Sequence, residues 1–266
     1  SSAASDVYKR QVLTGATGGI GREIAKKIAP HCKSLILLGR DLDKISTLQQ
    51  ELNACNANIQ IVAGDICSTD TAQQVIALSK SIGGINLLIN NAGTSQFKSY
   101  EDQSTDEIYG LLHTNLLAPM LLTQQLLPLL KQEKSQIINI GSIFGYLGFP
   151  GFVSYCTSKF GLRGFSQALR RELSDTSVSV RYFAPRATKT SINSNAVMQM
   201  NAELKTNSDS PKFVADELIK FLAGKAWEKK LGHKESFFVL MNHLFPAAPD
   251  KAIFGQLPII KKYLKK

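Results

Sequence analysis

Short apolar runs recur along the chain, each followed by a longer stretch with helical spacing. The strand candidates are Val12-Leu13, Leu35–Leu38, Ile59–Val62, Leu87–Ile89, Ile137–Ile140 and Val178–Phe183. Several are apolar throughout, the signature of parallel strands covered on both faces. Between them lie segments long enough for crossover helices: Gly21–Pro30, Leu42–Ala54, Thr69–Ile82, Ser104–Lys131 and Tyr155–Ser174. This alternation predicts an α/β fold: one doubly wound parallel sheet with helices on both faces and right-handed crossovers. No repeat or interdomain linker interrupts it, so residues 12–246 read as a single domain. Asn193 to Pro211 is polar and weakly periodic, and reads as a mobile insertion of the kind that forms a lid. Ser236–Pro246 (SFFVLMNHLFP) is expected to supply a last strand, with residues 247–266 as a basic covering helix or tail.

Composition narrows the picture. The 266 residues suit one α/β domain with a large core. The most apolar stretch, Leu116 to Leu130, is broken by Pro119, Thr123, Gln124, Gln125 and Pro128, so no membrane-spanning helix is expected. The four cysteines and four histidines are scattered, without metal or redox spacing. A metal site is therefore not expected, and a reduced, cytoplasmic setting is. The net charge is +10, and the chain closes on the basic sequence KKYLKK. No basic stripe interleaves with aromatics, which argues against nucleic-acid binding. An apolar segment beside a basic tail also has the composition of a peripheral membrane contact. Ser1 to Gln11 (SSAASDVYKRQ) reads as an in-frame translation of a sequencing adapter, a scar and not native chain. It has no apolar core, so it is not a secretory leader.

The first strand runs into Thr14-Gly15-Ala16-Thr17-Gly18-Gly19-Ile20-Gly21, which opens a helix. Glycine-rich turns in this setting bind dinucleotides: the backbone approaches the pyrophosphate, and the helix start offers free N–H groups. A plain connecting loop has the same composition. The second strand ends in Gly39, with Arg40 and Asp41 next. A carboxylate at this position holds the ribose of NAD, whereas an arginine accommodates the 2′-phosphate of NADP. Gly39 has no side chain and Arg40 is a phosphate-binding fork, so NADP(H) is favoured over NAD(H); Asp41 is placed to cap the next helix. Asp65 and Ile66 close the third strand, where the carboxylate serves an adenine amino group or a helix cap. Asn91, Ala92 and Gly93 close the fourth, as cofactor lining or as an Asn/Gly turn.

Tyr155 and Lys159 are four residues apart, on one face of a helix. A free tyrosine titrates near pH ~10, and a cation nearby lowers that value, which makes the phenol a usable acid and base. Pro119 lies four residues after Asn115 and has no N–H, so it denies the Asn115 carbonyl its helical donor. The carbonyl is left to hold a water, or the helix simply kinks.

Taken together, TGATGGIG, NNAG, Asn115, Ser142, Tyr155 and Lys159 resemble the short-chain dehydrogenase/reductase family in order and spacing. The resemblance runs from Val12 to about Thr190. It implies a Rossmann-type domain, a nicotinamide cofactor, and interconversion of an alcohol and a carbonyl. Tyr155 would move the proton, Lys159 would tune it and hold the nicotinamide ribose, Ser142 would hold the substrate oxygen, and Asn115 would support a proton relay. Pro185, Thr188 and Thr190 fall where nicotinamide contacts belong. Arg186 departs from the family, which usually has glycine there; it is expected to face solvent, or else to project toward an acidic group on a substrate or partner. The family also implies a homodimer or homotetramer paired through the helices at Ser104–Lys131 and Tyr155–Ser174.

The aromatic loop Ile143–Phe152 predicts an apolar carbonyl or alcohol as substrate, unless its rings pack internally or against another subunit. The rival to an enzyme is a catalytically silent, dinucleotide-binding regulatory or scaffold protein.

Overall fold

The computed structural model describes residues 10–245 and 247–264. Its elements alternate as β1 (Arg10–Thr14), α1 (Gly19–Ile28), β2 (Ser34–Gly39), α2 (Leu42–Leu52), β3 (Asn58–Ala63), α3 (Thr69–Ser81) and β4 (Leu87–Asn90). Then follow α4 (Thr105–Leu112), a π-helical turn (His113–Leu117), α5 (Ala118–Leu130), β5 (Ser135–Ile140), α6 (Val153–Glu172) and β6 (Val178–Ala184). The chain continues through α7 (Asn195–Glu203), α8 (Pro211–Ala223), β7 (Glu228–Lys230), α9 (His233–Leu244) and α10 (Ala248–Leu264).

The strands form one parallel sheet in the order β3-β2-β1-β4-β5-β6-β7. Side chains alternate across a strand, and the two faces separate accordingly. Leu13, Leu35, Leu37 and Ile89 pack with Ile24 of α1, Ile45 of α2 and Leu218 of α8. Val12, Ile36 and Leu38 pack the other way, with Val75 of α3 and Leu122 and Leu126 of α5. Both faces are dry, which is why the central positions of these strands are apolar. The order reverses between β1 and β4, and a crevice opens there at the carboxyl ends of the strands, the usual ligand site of such a sheet.

Four expectations are corrected. First, β1 begins at Arg10: Arg10 pairs with Ser34 and bonds the Glu133 carboxylate, and Gln11 is buried between Leu35 and Leu87. These two residues fill strand positions whatever their origin; Ser1–Lys9 lie outside the described residues. Second, the last strand is Glu228–Lys230, not the Ser236–Pro246 segment, whose described residues lie in α9 through Leu244. Third, 193–211 contains α7, held by buried Val197 and Met200, and is not a bare loop. Fourth, the helix expected over 104–131 is two helices. Pro119 sits in the first turn of α5 without an N–H to donate, and the preceding turn widens to a π-helix around Asn115.

Candidate active site

The glycine turn is held from across the sheet switch. The Asn91 side-chain amide donates to the carbonyls of Thr14 (3.1 Å) and Gly15 (3.0 Å). The Thr14 hydroxyl accepts the N–H groups of Asn91 and Ala92, both at 3.0 Å. Gly15 sits at φ +63, and a Cβ on Gly21 would collide with the Gly15 carbonyl, so the turn packs only as glycine. A Cβ on Gly18, by contrast, would meet nothing closer than 3.4 Å. No side chain caps α1 at Gly18, so the first N–H groups of that helix are left for a ligand.

Around this turn lies a cleft of about 580 Å³ with a mainly polar wall. Gly15, Thr17, Gly18, Gly19, Ile20, Gly21, Arg40, Asp65, Ile66, Asn91, Ala92, Gly93 and Thr190 line it, joined by Lys44 and Thr114, which the sequence did not flag. The exposed Arg40 and Lys44 form a cationic end. Asp41 accepts the Lys44 amide at 3.1 Å as the cap of α2, and pairs with the Lys44 ammonium at 2.9 Å. Hydrogen bonds from Lys44 hold its carboxyl below the usual carboxylate range. Asp65 does not cap α3, a place taken by Ser68; its carboxylate accepts the Cys67 amide at 2.9 Å. An uncapped helix start, a glycine cradle and two cations match the phosphates of a dinucleotide.

A second, mainly apolar cleft of about 250 Å³ adjoins the first and shares Ile20, Asn91, Gly93 and Thr190 with it. Ser142, Tyr155 and Lys159 lie in its wall, as do Pro185 and Thr188, which the structure places here and not on the polar cleft. Ser142 follows β5, and its side-chain oxygen accepts the Phe144 amide at 3.1 Å. Burial pushes the Tyr155 phenol up to about 12, against the lowering effect of the nearby Ser142 side chain. Lys159 is buried, donates to the Ile140 carbonyl at 3.1 Å, and is pushed down to about 8 by loss of solvent. Its ammonium lies 5.8 Å from the centre of the Tyr155 ring. The expected lowering of the phenol by Lys159 is not seen in the protein alone: loss of solvent raises Tyr155 and lowers Lys159.

Asn115 does not face the cleft. Its side chain exchanges two 2.8 Å bonds with the backbone of Thr94 and donates to the Ser158 hydroxyl at 3.1 Å. It ties the loop after β4 to α6, and so fixes Lys159 through its neighbour Ser158. Tyr182 was missed because a tyrosine inside an apolar strand reads as core. It is fully buried, yet its hydroxyl accepts the Ser142 amide at 3.4 Å and donates to the Lys159 carbonyl at 3.2 Å. A Cβ on Gly141 or Gly145 would land on that hydroxyl.

The aromatic loop is both packed and exposed to the cleft. Phe144 stacks on Phe149 at 5.2 Å, and Phe144 and Phe152 approach Tyr155 edge-on at 6.3 and 6.1 Å. All three phenylalanines line the cleft, and Val197, Met200 and Asn201 of α7 complete the wall. Arg186 does not face solvent as expected. It bonds both Asp209 oxygens, at 2.8 and 3.0 Å, and reaches the Glu235 carboxylate at 3.3 Å. The end of β6, the approach to α8 and the start of α9 are thereby joined by one ion triad beside the cleft.

The short chain dehydrogenase family model matches residues 9–201. A hydroxysteroid 11-beta-dehydrogenase 1-like protein of Xenopus laevis is 30% identical over 256 residues, 92% of this chain and 85% of that protein. The solved short chain dehydrogenase/reductase of Burkholderia phymatum, in complex with NAD, superposes with a TM-score of 0.81 at 20% identity, over 89% of this chain and 93% of that one. A Burkholderia cenocepacia short chain dehydrogenase, in complex with NADP, gives a TM-score of 0.74 at 24% identity, over 82% and 91%. With this sequence match, a parallel Rossmann-type sheet and Ser142, Tyr155 and Lys159 gathered at one cleft, the chain belongs to the short-chain dehydrogenase/reductase family of oxidoreductases.

Proposed function

We propose that this protein reduces an apolar carbonyl compound, or oxidises the matching alcohol, with NADP(H) as the preferred dinucleotide. The observation that carries this reading is the gathering of Ser142, Tyr155 and buried Lys159 in the wall of the apolar cleft that adjoins the polar one. The dinucleotide, when bound, supplies or accepts the hydride. Thr17, Gly18 and Gly19 and the start of α1 would hold its pyrophosphate, and Arg40 and Lys44 a 2′-phosphate. Gly39 offers no carboxylate to a ribose, and the Asp41 carboxylate is occupied by Lys44.

The chain's own chemistry is proton transfer. A phenol pushed up to about 12 is protonated at neutral pH, the form that donates to a carbonyl oxygen as it gains negative charge. The Ser142 hydroxyl, in the same cleft wall, stabilises the same oxygen. Lys159, pushed down to about 8, holds its proton at neutral pH and yields it readily, so it can restore the proton that Tyr155 gives up. Phe144, Phe149 and Phe152 keep water away and favour apolar substituents on the substrate. Exposed Tyr109, Leu117, Leu121 and Phe160 on the helices α4 to α6 support a homodimer.

The test is a panel of apolar ketones and aldehydes followed at the NAD(P)H absorbance band. Tyr155→Phe should lose turnover and retain dinucleotide binding. A wild type that binds the dinucleotide yet turns over no carbonyl or alcohol would favour the silent regulatory or scaffold reading.

A further inference from the structure

The helix α9 is laid on the molecule with its apolar side outward. Val239 is buried, and Asn242 donates to the Tyr146 carbonyl at 3.2 Å, which fixes the inner face. Phe237, Leu240 and Leu244, at helical spacings of three, four and seven, share the opposite face and are 61%, 52% and 61% exposed. A helix on a globular surface ordinarily shows the reverse pattern. Phe245 extends the patch at 60% exposure, and on α10 Phe254 is 64% exposed.

The exposed charges on these helices are mostly basic. Lys234, Lys251 and Lys261 are exposed, and none pairs with a described carboxylate. Lys251 and Lys261 lie three residues before and seven after Phe254, on its face of α10. The acids of these helices are Glu235, committed to Arg186, and Asp250. Among the described residues, no helix is long and apolar enough to cross a membrane.

We propose that the outward face of α9 and α10 docks on an anionic lipid bilayer surface. Phenylalanines and leucines flanked by lysines suit the boundary between acyl chains and negative headgroups, where each part of the patch finds its partner. A second copy of this chain fits less well: a two-fold contact through the patch would bring its unpaired lysines together. Docking does not depend on the oxidoreductase reading. It does bear on that reading, because Glu235 of α9 and Gln256 of α10 line the apolar cleft. An apolar substrate dissolved in the bilayer would then lie beside the cleft wall.

The experiment is flotation of the full chain with phosphatidylcholine vesicles, with and without about 30 mol % phosphatidylglycerol. The protein should float with the anionic vesicles, poorly with the neutral ones, and less as salt rises. Phe237→Ser, Leu244→Ser and Phe254→Ser combined should cut the bound fraction by roughly tenfold. Lys234→Glu, Lys251→Glu and Lys261→Glu combined should abolish the preference for anionic vesicles. Thermal melts and dinucleotide binding check that the variants fold; the single variant Phe254→Ser, which should float measurably less than wild type, serves if a triple variant does not. No flotation of the wild type with anionic vesicles would overturn the proposal. So would equal flotation of folded serine variants, or a patch-dependent dimer that binds no vesicle.

Discussion

The Tyr182 hydroxyl donates to the main-chain carbonyl of Lys159 at 3.2 Å, from a strand that never reaches the cleft surface. The same oxygen accepts the Ser142 amide. One phenol thus spaces the end of β5 from α6, and so Ser142 from Lys159. Burial and the neighbouring Tyr146 push its pKa far up, so it remains a hydroxyl donor at any working pH. Tyr182→Phe keeps the ring, which meets Tyr146 edge-on at 5.9 Å, but takes the partner from the half-buried Ser142 amide and one donor from the Lys159 carbonyl. The expected cost is about 1–3 kcal/mol of stability. We predict a fall in kcat of about tenfold, equivalent to 1.4 kcal/mol, with little change in KM. Thermal melts and steady-state kinetics measure the two effects separately. Unchanged kcat and pH profile would mean that the ring alone sets the spacing.

Lys159 stores an electrostatic cost. Its folded pKa, about 8, lies below the ordinary lysine value of 10.5, so between these values the unfolded chain binds more protons than the folded one. Stability from this group therefore rises with pH from about 8 to 10.5, and falls away as pH drops through about 8. Lys159→Met removes the charge at similar volume, although the Ile140 carbonyl then loses its donor. The variant should lose turnover. Its melting temperature relative to wild type should be most favourable below pH 8, with the difference shifting toward wild type between pH 8 and 10.5. Melts across pH 6 to 10 test this, and a pH-independent difference would show that the ammonium is not desolvated as the structure indicates.

What the sequence made legible was whatever repeats locally. Strands β2 and β4 are buried at every position and apolar at nearly all, because both faces are dry, so they could be placed within a residue or two. Tyr155 and Lys159 share a helix face by their spacing, whereas Ser142 joins them only through the resemblance to the short-chain dehydrogenase/reductase family. The short strand β7, Glu-Lys-Lys, carries no strand pattern; it exists because β6 offers it an edge. The run Phe237-Phe238-Val239-Leu240-Met241 lies in the aromatic-rich segment Ser236–Pro246, expected as a last strand. Most of its side chains face outward from a helix instead. Arg186, Asp209 and Glu235 meet across 23 and 49 residues of chain, a pairing no local pattern encodes.

That triad makes a prediction of its own. Asp209 is nearly buried, and its carboxylate is matched by Arg186 on both oxygens. Thr188 pairs with Asp209 in an isolated bridge, so the backbone on either side of α7 is tied down at the same point. Arg186→Ala leaves two carboxylates facing one another without a cation. A loss of about 1–3 kcal/mol is expected, less than for a fully buried pair because Arg186 is partly solvated. Substrate KM should rise more than kcat falls, since α7 walls the apolar cleft while Tyr155 and Ser142 stay in place. Adding Asp209→Asn should recover part of the stability. If the double variant is no more stable than the single one, the triad matters through packing and not through charge.

The cationic end of the polar cleft decides between two cofactors. Arg40 follows the last residue of β2 and Lys44 lies in the first turn of α2, both on the cleft wall. The carboxylate between them, Asp41, is spent on capping α2 and on Lys44, so a ribose 2′-hydroxyl finds no ready acceptor there. A 2′-phosphate would find a guanidinium fork and an ammonium. Arg40→Ala should raise the KM for NADPH by roughly 10- to 100-fold and that for NADH by less than about threefold. Lys44→Ala should act in the same direction but more weakly, because its ammonium already serves Asp41 and because a point charge binds phosphate less specifically than a fork. The NADPH preference should shrink with added salt, as expected for exposed cations. Equal losses for both cofactors in Arg40→Ala would place the arginine against the shared pyrophosphate and remove the case for NADP(H).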